Sequence, residues 1–158
     1  MGLGVKFAQG QPMSELASLQ ELGVHWVRDT VSWPDIEPQP GRYVAFSPPF
    51  LQRLAYYREH DIGVVALLTL GNARAYSPQG GSPALAYDPD AFGRFAAVVA
   101  RMLGSAGVRF VLEIGNEPHN SALAKQLGGQ WNGHAPSPWV DHYVRMVRAA
   151  VSAVKAVD

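Results

Sequence analysis

The run Val64–Leu70 (V-V-A-L-L-T-L) is apolar except for one threonine and has the length of a β-strand, not of a helix. A strand without polar alternation is one covered on both faces, and that is the habit of parallel sheets. Three further segments read as strands: Val5–Ala8, His25–Ser32 (H-W-V-R-D-T-V-S) and Arg109–Gly115. Helical patterns separate and follow them. Ser14–Leu22 repeats leucine at positions 16, 19 and 22 and stops at Gly23, and Phe50–His60 stops near Gly63. Asp88 can cap a third helix, with Pro89 at its first position and Phe92, Phe95, Ala96, Val99 and Leu103 on one stripe before Gly107. Ser137-Pro138 opens a fourth, with Val140, Tyr143, Val144, Val147, Val151 and Val154 along it. A loop rich in proline is expected between Trp33 and Pro49. The order is strand then helix, four times over. Right-handed crossovers turn that order into an open doubly wound sheet or part of a β/α barrel. Four units are half of the eight in a closed barrel, and 158 residues fall short of the roughly 250 that such a barrel typically has.

Composition removes several functions. Thirteen basic residues balance thirteen acidic ones, so nothing electrostatic argues for nucleic acid or an anionic membrane as partner. The absence of cysteine rules out disulfides, thiolate metal sites and cysteine nucleophiles. No apolar run approaches the roughly 20 residues of a membrane helix. No charged-then-apolar leader precedes the first strand, so a secreted parent would have lost its signal peptide before this sequence begins.

The fourth strand runs into chemistry: positions 111–120 read V-L-E-I-G-N-E-P-H-N. In parallel β/α folds functional groups gather past the C-terminal ends of the strands, where Asn116-Glu117 falls. Strand alternation sets Arg109, Val111, Glu113, Gly115 and Glu117 on one face. The second strand sets Trp26, Arg28, Thr30 and Ser32 on one face; if both faces point inward, Arg28 reaches Glu113 and two buried charges compensate. The plain alternatives are a loop or capping carboxylate for Glu117 and a structural ion pair for Arg28 and Glu113. Trp33, Tyr76, Trp131 and Trp139 lie in or beside loops that follow strands. Trp33 and Trp131 are the favoured aromatic platforms, against the alternative that loop tryptophans pack as staples. His119 follows the acid and could orient it, and His134 is a weaker candidate. No histidine pair has helical metal-ligand spacing, so no metal is implied.

These segments carry a resemblance. V-L-E-I-G-N-E-P-H together with G-V-H-W-V-R-D-T-V-S-W-P-D-I-E-P-Q-P-G-R-Y resembles clan A of the glycoside hydrolases, family 39 foremost and family 5 as a relative. The resemblance implies an α/β fold, the N-terminal (βα)4 half of a TIM-type (β/α)8 barrel, forming one domain over residues 1–158. It implies hydrolysis of O-glycosyl bonds with retention and without a cofactor. The substrate would be an oligosaccharide, a polysaccharide or an aryl glycoside. Glu117 would be the general acid/base, and Asn116 would bind the hydroxyl beside the reacting carbon. Arg28 matches the arginine kept beneath the active site, and Glu113 matches an inner acidic position behind the substrate. Trp33, Tyr76, His119 and Trp131 would line the sugar site.

One departure is large. Retention needs a second carboxylate about 5–5.5 Å from the first, and the clan takes it from strand seven, which this sequence does not reach. The expectation is therefore a half-barrel that a second copy completes, strand four of each meeting strand one of the other. The two Glu117 side chains would then lie on opposite sides of the mouth, at a separation closer to an inverting pair, with Glu37 or Asp35 as fallback nucleophiles. A carbohydrate-binding module and a catalytically inactive barrel fragment remain the competing readings.

Overall fold

The computed structural model describes residues 1–77, 83–120, 122–127 and 137–157. Four parallel strands form one sheet in the order β1 (Gly2–Gly4), β2 (Trp26–Val31), β3 (Gly63–Leu68) and β4 (Phe110–Ile114). Chain order and spatial order coincide. Among the described residues seven α-helical segments accompany them: α1 (Leu16–Glu21), α2 (Trp33–Ile36), α3 (Pro48–Glu59), α4 (Ala73–Tyr76), α5 (Pro89–Ser105), α6 (Ala122–Gln126) and α7 (Pro138–Lys155).

The two faces of the sheet differ. Val27, Asp29 and Val31 of β2 and Val64, Ala66 and Leu68 of β3 are buried on one face, within the core shared with the helices. On the other face Trp26, Arg28, Thr30, Val65 and Glu113 are only half-buried, and Val111 is 53% exposed. Apolar runs of this kind predict cover on both sides. Among the described residues the second side is covered only in part, Leu67 being its one buried side chain.

The first strand is Gly2–Gly4, earlier than the predicted Val5–Ala8. Pairing persists one residue further, where the Val5 N–H donates to Arg28 O at 3.0 Å. The chain then bends through a 3-10 turn at Phe7–Gln9 that closes on Gly10 at φ 96° and buries Phe7. Apolar character there does report burial, but the geometry that achieves it is a turn. The expected helix at Ser14–Leu22 divides into a 3-10 turn at Met13–Glu15 and α1. The proline-rich loop contains α2, and α3 begins at Pro48 because proline suits a first turn.

The helix α5 matches expectation. Asp88 Oδ1 accepts from the Ala91 N–H at 2.6 Å, and Phe92, Phe95, Ala96, Val99 and Leu103 are buried. It packs on α7. At the crossing a Cβ on Gly93 would lie 2.9 Å from Ala149 O, so the two backbones approach as closely as glycine allows. The stripe predicted along α7 is offset: Trp139, Met146 and Ala150 are its buried residues, whereas Val144 and Val151 are 38% and 46% exposed.

Candidate functional site

Gly115 sets the course of the chain past β4. Its φ is 70°, and an added Cβ would fall 2.5 Å from Leu70 Cγ, so both conformation and space demand glycine. Its N–H still donates to Leu68 O at 3.0 Å. The next two residues leave the sheet and are exposed. Glu117 has φ 43°, in the left-handed region that costs a side-chain-bearing residue about 1–2 kcal/mol. The turn is closed by the Asn120 N–H on Glu117 O at 2.9 Å, and Asn120 Nδ2 reaches Glu117 Oε2 at 3.4 Å.

Two strands away, Arg28 spans the open face. Its Nε donates to Glu113 Oε2 at 2.7 Å and its Nη2 to Glu113 Oε1 at 2.8 Å, a bidentate pair. The same Nη2 donates to Asn116 Oδ1 at 2.8 Å. The guanidinium therefore fixes the residue directly before Glu117. Its hydrogen bonds draw the Glu113 carboxyl below its ordinary pKa, partly opposed by burial, and Glu113 in turn raises Arg28. The pair is not the buried one that strand alternation predicts: the two side chains are 39% and 34% exposed, on a face that is largely open. Tyr143 of α7 donates to Ile114 O at 2.8 Å and ties that helix to the strand end.

Trp33 is a correction. It is fully buried, stacked on Phe95 at 5.5 Å and 16°, with Phe92 edge-on at 5.4 Å. Its Nε1 donates to Glu37 Oε2 at 2.6 Å, so no ring face is left for a sugar. Tyr76 is half-buried beside it, with its ring 5.6 Å from that of Trp33. Its hydroxyl donates to Glu37 Oε1 at 2.6 Å, and burial, then that carboxylate, raises its pKa well above the ordinary tyrosine value. Glu37 also accepts from the Gly41 N–H at 2.7 Å and is wholly buried. Three donors hold it, and it cannot serve as a nucleophile. Asp35 is exposed. Trp139 is buried in α7, His119 is exposed, and Trp131 and His134 lie outside the described residues. Among the described residues no three histidine, aspartate or glutamate side chains gather as a metal ion would require.

A cleft of about 460 Å³ opens past the ends of β3 and β4. Leu67, Leu70, Tyr87 and Leu123 supply apolar wall, and Thr69, Arg74, Asn116 and Gln126 supply polar groups. Glu117 adjoins it through Asn116 and does not itself line it. Arg74 and Gln126 escape a reading of the sequence, since neither belongs to a motif; their signal is position, on short helices that come after the third and fourth strands. A second cleft of about 520 Å³ lies past β1 and β2, with Phe7, Thr30, Asp35 and Phe46 in its wall.

No family model matches the chain, and no curated protein sequence matches it. Solved structures do. A family 39 glycoside hydrolase from the gut symbiont Bacteroides cellulosilyticus WH2 superposes with a TM-score of 0.69 at 18% identity, covering 100% of this chain and 29% of its own. The exo-β-1,4-mannosidase Op5Man5 from Opitutaceae bacterium strain TAV5 gives 0.66 at 18% identity, over 99% and 30%. Endoglucanase Cel5A of Pseudomonas stutzeri gives 0.65 at 14% identity, over 92% and 39%. The chain thus spans roughly a third of the length of these enzymes and shares with them an α/β fold of the β/α-barrel glycosidase type.

Proposed function

We propose that this chain is a (βα)4 half-barrel domain that cleaves O-glycosyl bonds once its barrel is completed, with Glu117 as general acid/base. The observation that carries the reading is the Arg28 clamp. Its guanidinium holds Asn116 Oδ1 at 2.8 Å and thereby fixes the backbone that presents Glu117 at the end of β4, beside a cleft. A glycosidic oxygen leaves poorly until it is protonated, so an exposed carboxyl on a fixed backbone has a role to fill. Asn116, on the cleft wall, would hold the neighbouring sugar hydroxyl. Arg28 and Glu113 act through Asn116 as positioning residues, and His119 flanks the acid in the same turn.

The second carboxylate must come from elsewhere. Glu37 is buried under three donors, and Glu113 is occupied by Arg28. A second copy is the completion we favour, because among the described residues β1 and β4 both end the sheet with unpaired edges. The same shortage favours one alternative, a carbohydrate-binding half-barrel without turnover.

Hydrolysis of a panel of aryl glycosides by the purified chain tests the proposal. Activity that Glu117→Gln abolishes, with the circular dichroism spectrum unchanged, is the expected result, since the amide cannot donate the proton. Full activity in a folded Gln variant would remove Glu117 from the mechanism. Sugar binding with no turnover in the wild type would select the binding-module reading.

A further inference from the structure

Arginines on this chain repeatedly meet carboxylates: Arg28 meets Glu113, Arg53 meets Asp29 and Arg109 meets Asp61. Arg74 does not. It is exposed on the wall of the cleft past β3 and β4, with no hydrogen bond or ion pair among the described residues. Among the described residues no aspartate or glutamate lines that cleft; its other polar groups are Thr69, Asn116 and Gln126. The described cleft therefore carries one uncompensated positive charge above apolar walls.

The arginine also stands on a fixed base. Asn72, fully buried, donates from its Nδ2 to Glu37 O at 2.8 Å and from its N–H to Ala86 O at 2.8 Å, and its Oδ1 accepts from the Ala75 N–H at 3.0 Å. Three hydrogen bonds thus hold the turn from which Arg74 projects. A guanidinium offers planar, paired donors that match a carboxylate or a sulfate ester, and it loses less conformational freedom per bond than lysine.

We infer that this cleft selects a glycan bearing an anionic group, a uronate carboxylate or a sulfate ester, and that Arg74 is the residue that recognises it. The inference rests on the carbohydrate reading of the cleft and adds the charge of the sugar. A neutral sugar would leave the guanidinium solvated and unused. An acidic one would pair with it while its ring lies on the apolar wall and Asn116 and Gln126 meet its hydroxyls.

The test is binding, which needs no turnover. Titration of the chain with methyl β-glucuronide, glucose 6-sulfate and methyl β-glucoside, monitored by amide chemical shifts, gives three dissociation constants. At low salt at least one anionic sugar should bind about tenfold more tightly than the glucoside, and the preference should shrink as salt screens the charge. Arg74→Gln should bring that ratio close to one, whereas Arg101→Gln, an exposed arginine on α5 outside the cleft, should leave it unchanged. The tighter of the two anions identifies the substituent. A preference that survives Arg74→Gln overturns the inference, as does equal binding of all three sugars. Binding of none overturns both the inference and the carbohydrate reading, while a charge preference without hydrolysis counts against the hydrolase proposal alone.

Discussion

Two arginines on opposite faces of one neighbourhood show how burial decides what an ion pair is worth. Arg53 Nε meets Asp29 Oδ2 at 2.8 Å with side chains 6% and 0% exposed, and its guanidinium also lies 4.8 Å from the Phe50 ring and 5.3 Å from the Phe7 ring. Asp29 is thus the buried charge of β2, and Arg28, its neighbour, is the half-exposed one. Replacing Arg53 by methionine leaves a carboxylate stranded and should cost about 3–5 kcal/mol. Arg28→Met, in a pair open to water, should cost about 1 kcal/mol. Urea midpoints of the two variants check the ranking, and equal losses would refute it. The weaker pair has a pH signature. Because the folded Glu113 pKa is depressed, its contribution is complete above the ordinary carboxylate range and is lost as pH falls through the depressed value. Glu113→Gln should therefore remove part of the acid-side loss of stability. Glu117 carries the opposite kind of cost. At φ 43° it occupies a conformation that asparagine tolerates better, so Glu117→Asn should stabilise the fold by about 0.5–1 kcal/mol while removing the proposed acid. A thermal melt of that variant, lower than wild type, would show that the backbone there is not strained.

Among the elements, the long amphipathic ones are the most legible in the sequence. The α5 stripe, its Asp88 cap and its Pro89 start all agree with the structure, because a helix of 17 residues repeats its signal several times. Short elements lack that repetition. Val5–Ala8 has the pattern of a strand since Val5 and Phe7 are apolar and alternate, but Phe7 reaches the core from a turn. Trp33 has the pattern of a loop residue since Pro34 comes next, yet both residues form the first turn of α2 and the indole fills the core beneath it. Its anchoring to Glu37 is unreadable in the sequence because the two partners become neighbours only when α2 forms. The Arg28–Glu113 contact is legible, since strand alternation and parallel order together place the two side chains on one face. The α5–α7 crossing supplies a test at this scale. A methyl at Gly93 would press 2.9 Å from Ala149 O, a backbone atom with little freedom to retreat. Gly93→Ala should lose about 1–3 kcal/mol despite the better helix propensity of alanine. A gain in stability would mean that the two helices can separate without penalty.

At the level of the whole molecule, the parallel α/β class is legible from the alternation of patterns, and an open inner face follows from counting four βα units where a barrel has eight, although periodicity reports which residues prefer burial and not what supplies it. Val111, 53% exposed on the edge strand, is where that preference goes unmet. If a second copy completes the barrel, Val111 becomes buried there, and Val111→Lys should weaken the dimer by at least about tenfold in sedimentation equilibrium. A wild-type chain that stays monomeric at micromolar concentration would remove the two-copy closure. The match between chain order and strand order has a kinetic meaning as well. Each strand finds its partner in the unit made just before it, so pairing can proceed from the N-terminus as the chain leaves the ribosome. Growth of such a sheet needs no rethreading: another βα unit, whether from the same gene or from a duplicate of it, joins at the β4 edge by the same step that joined β4 to β3.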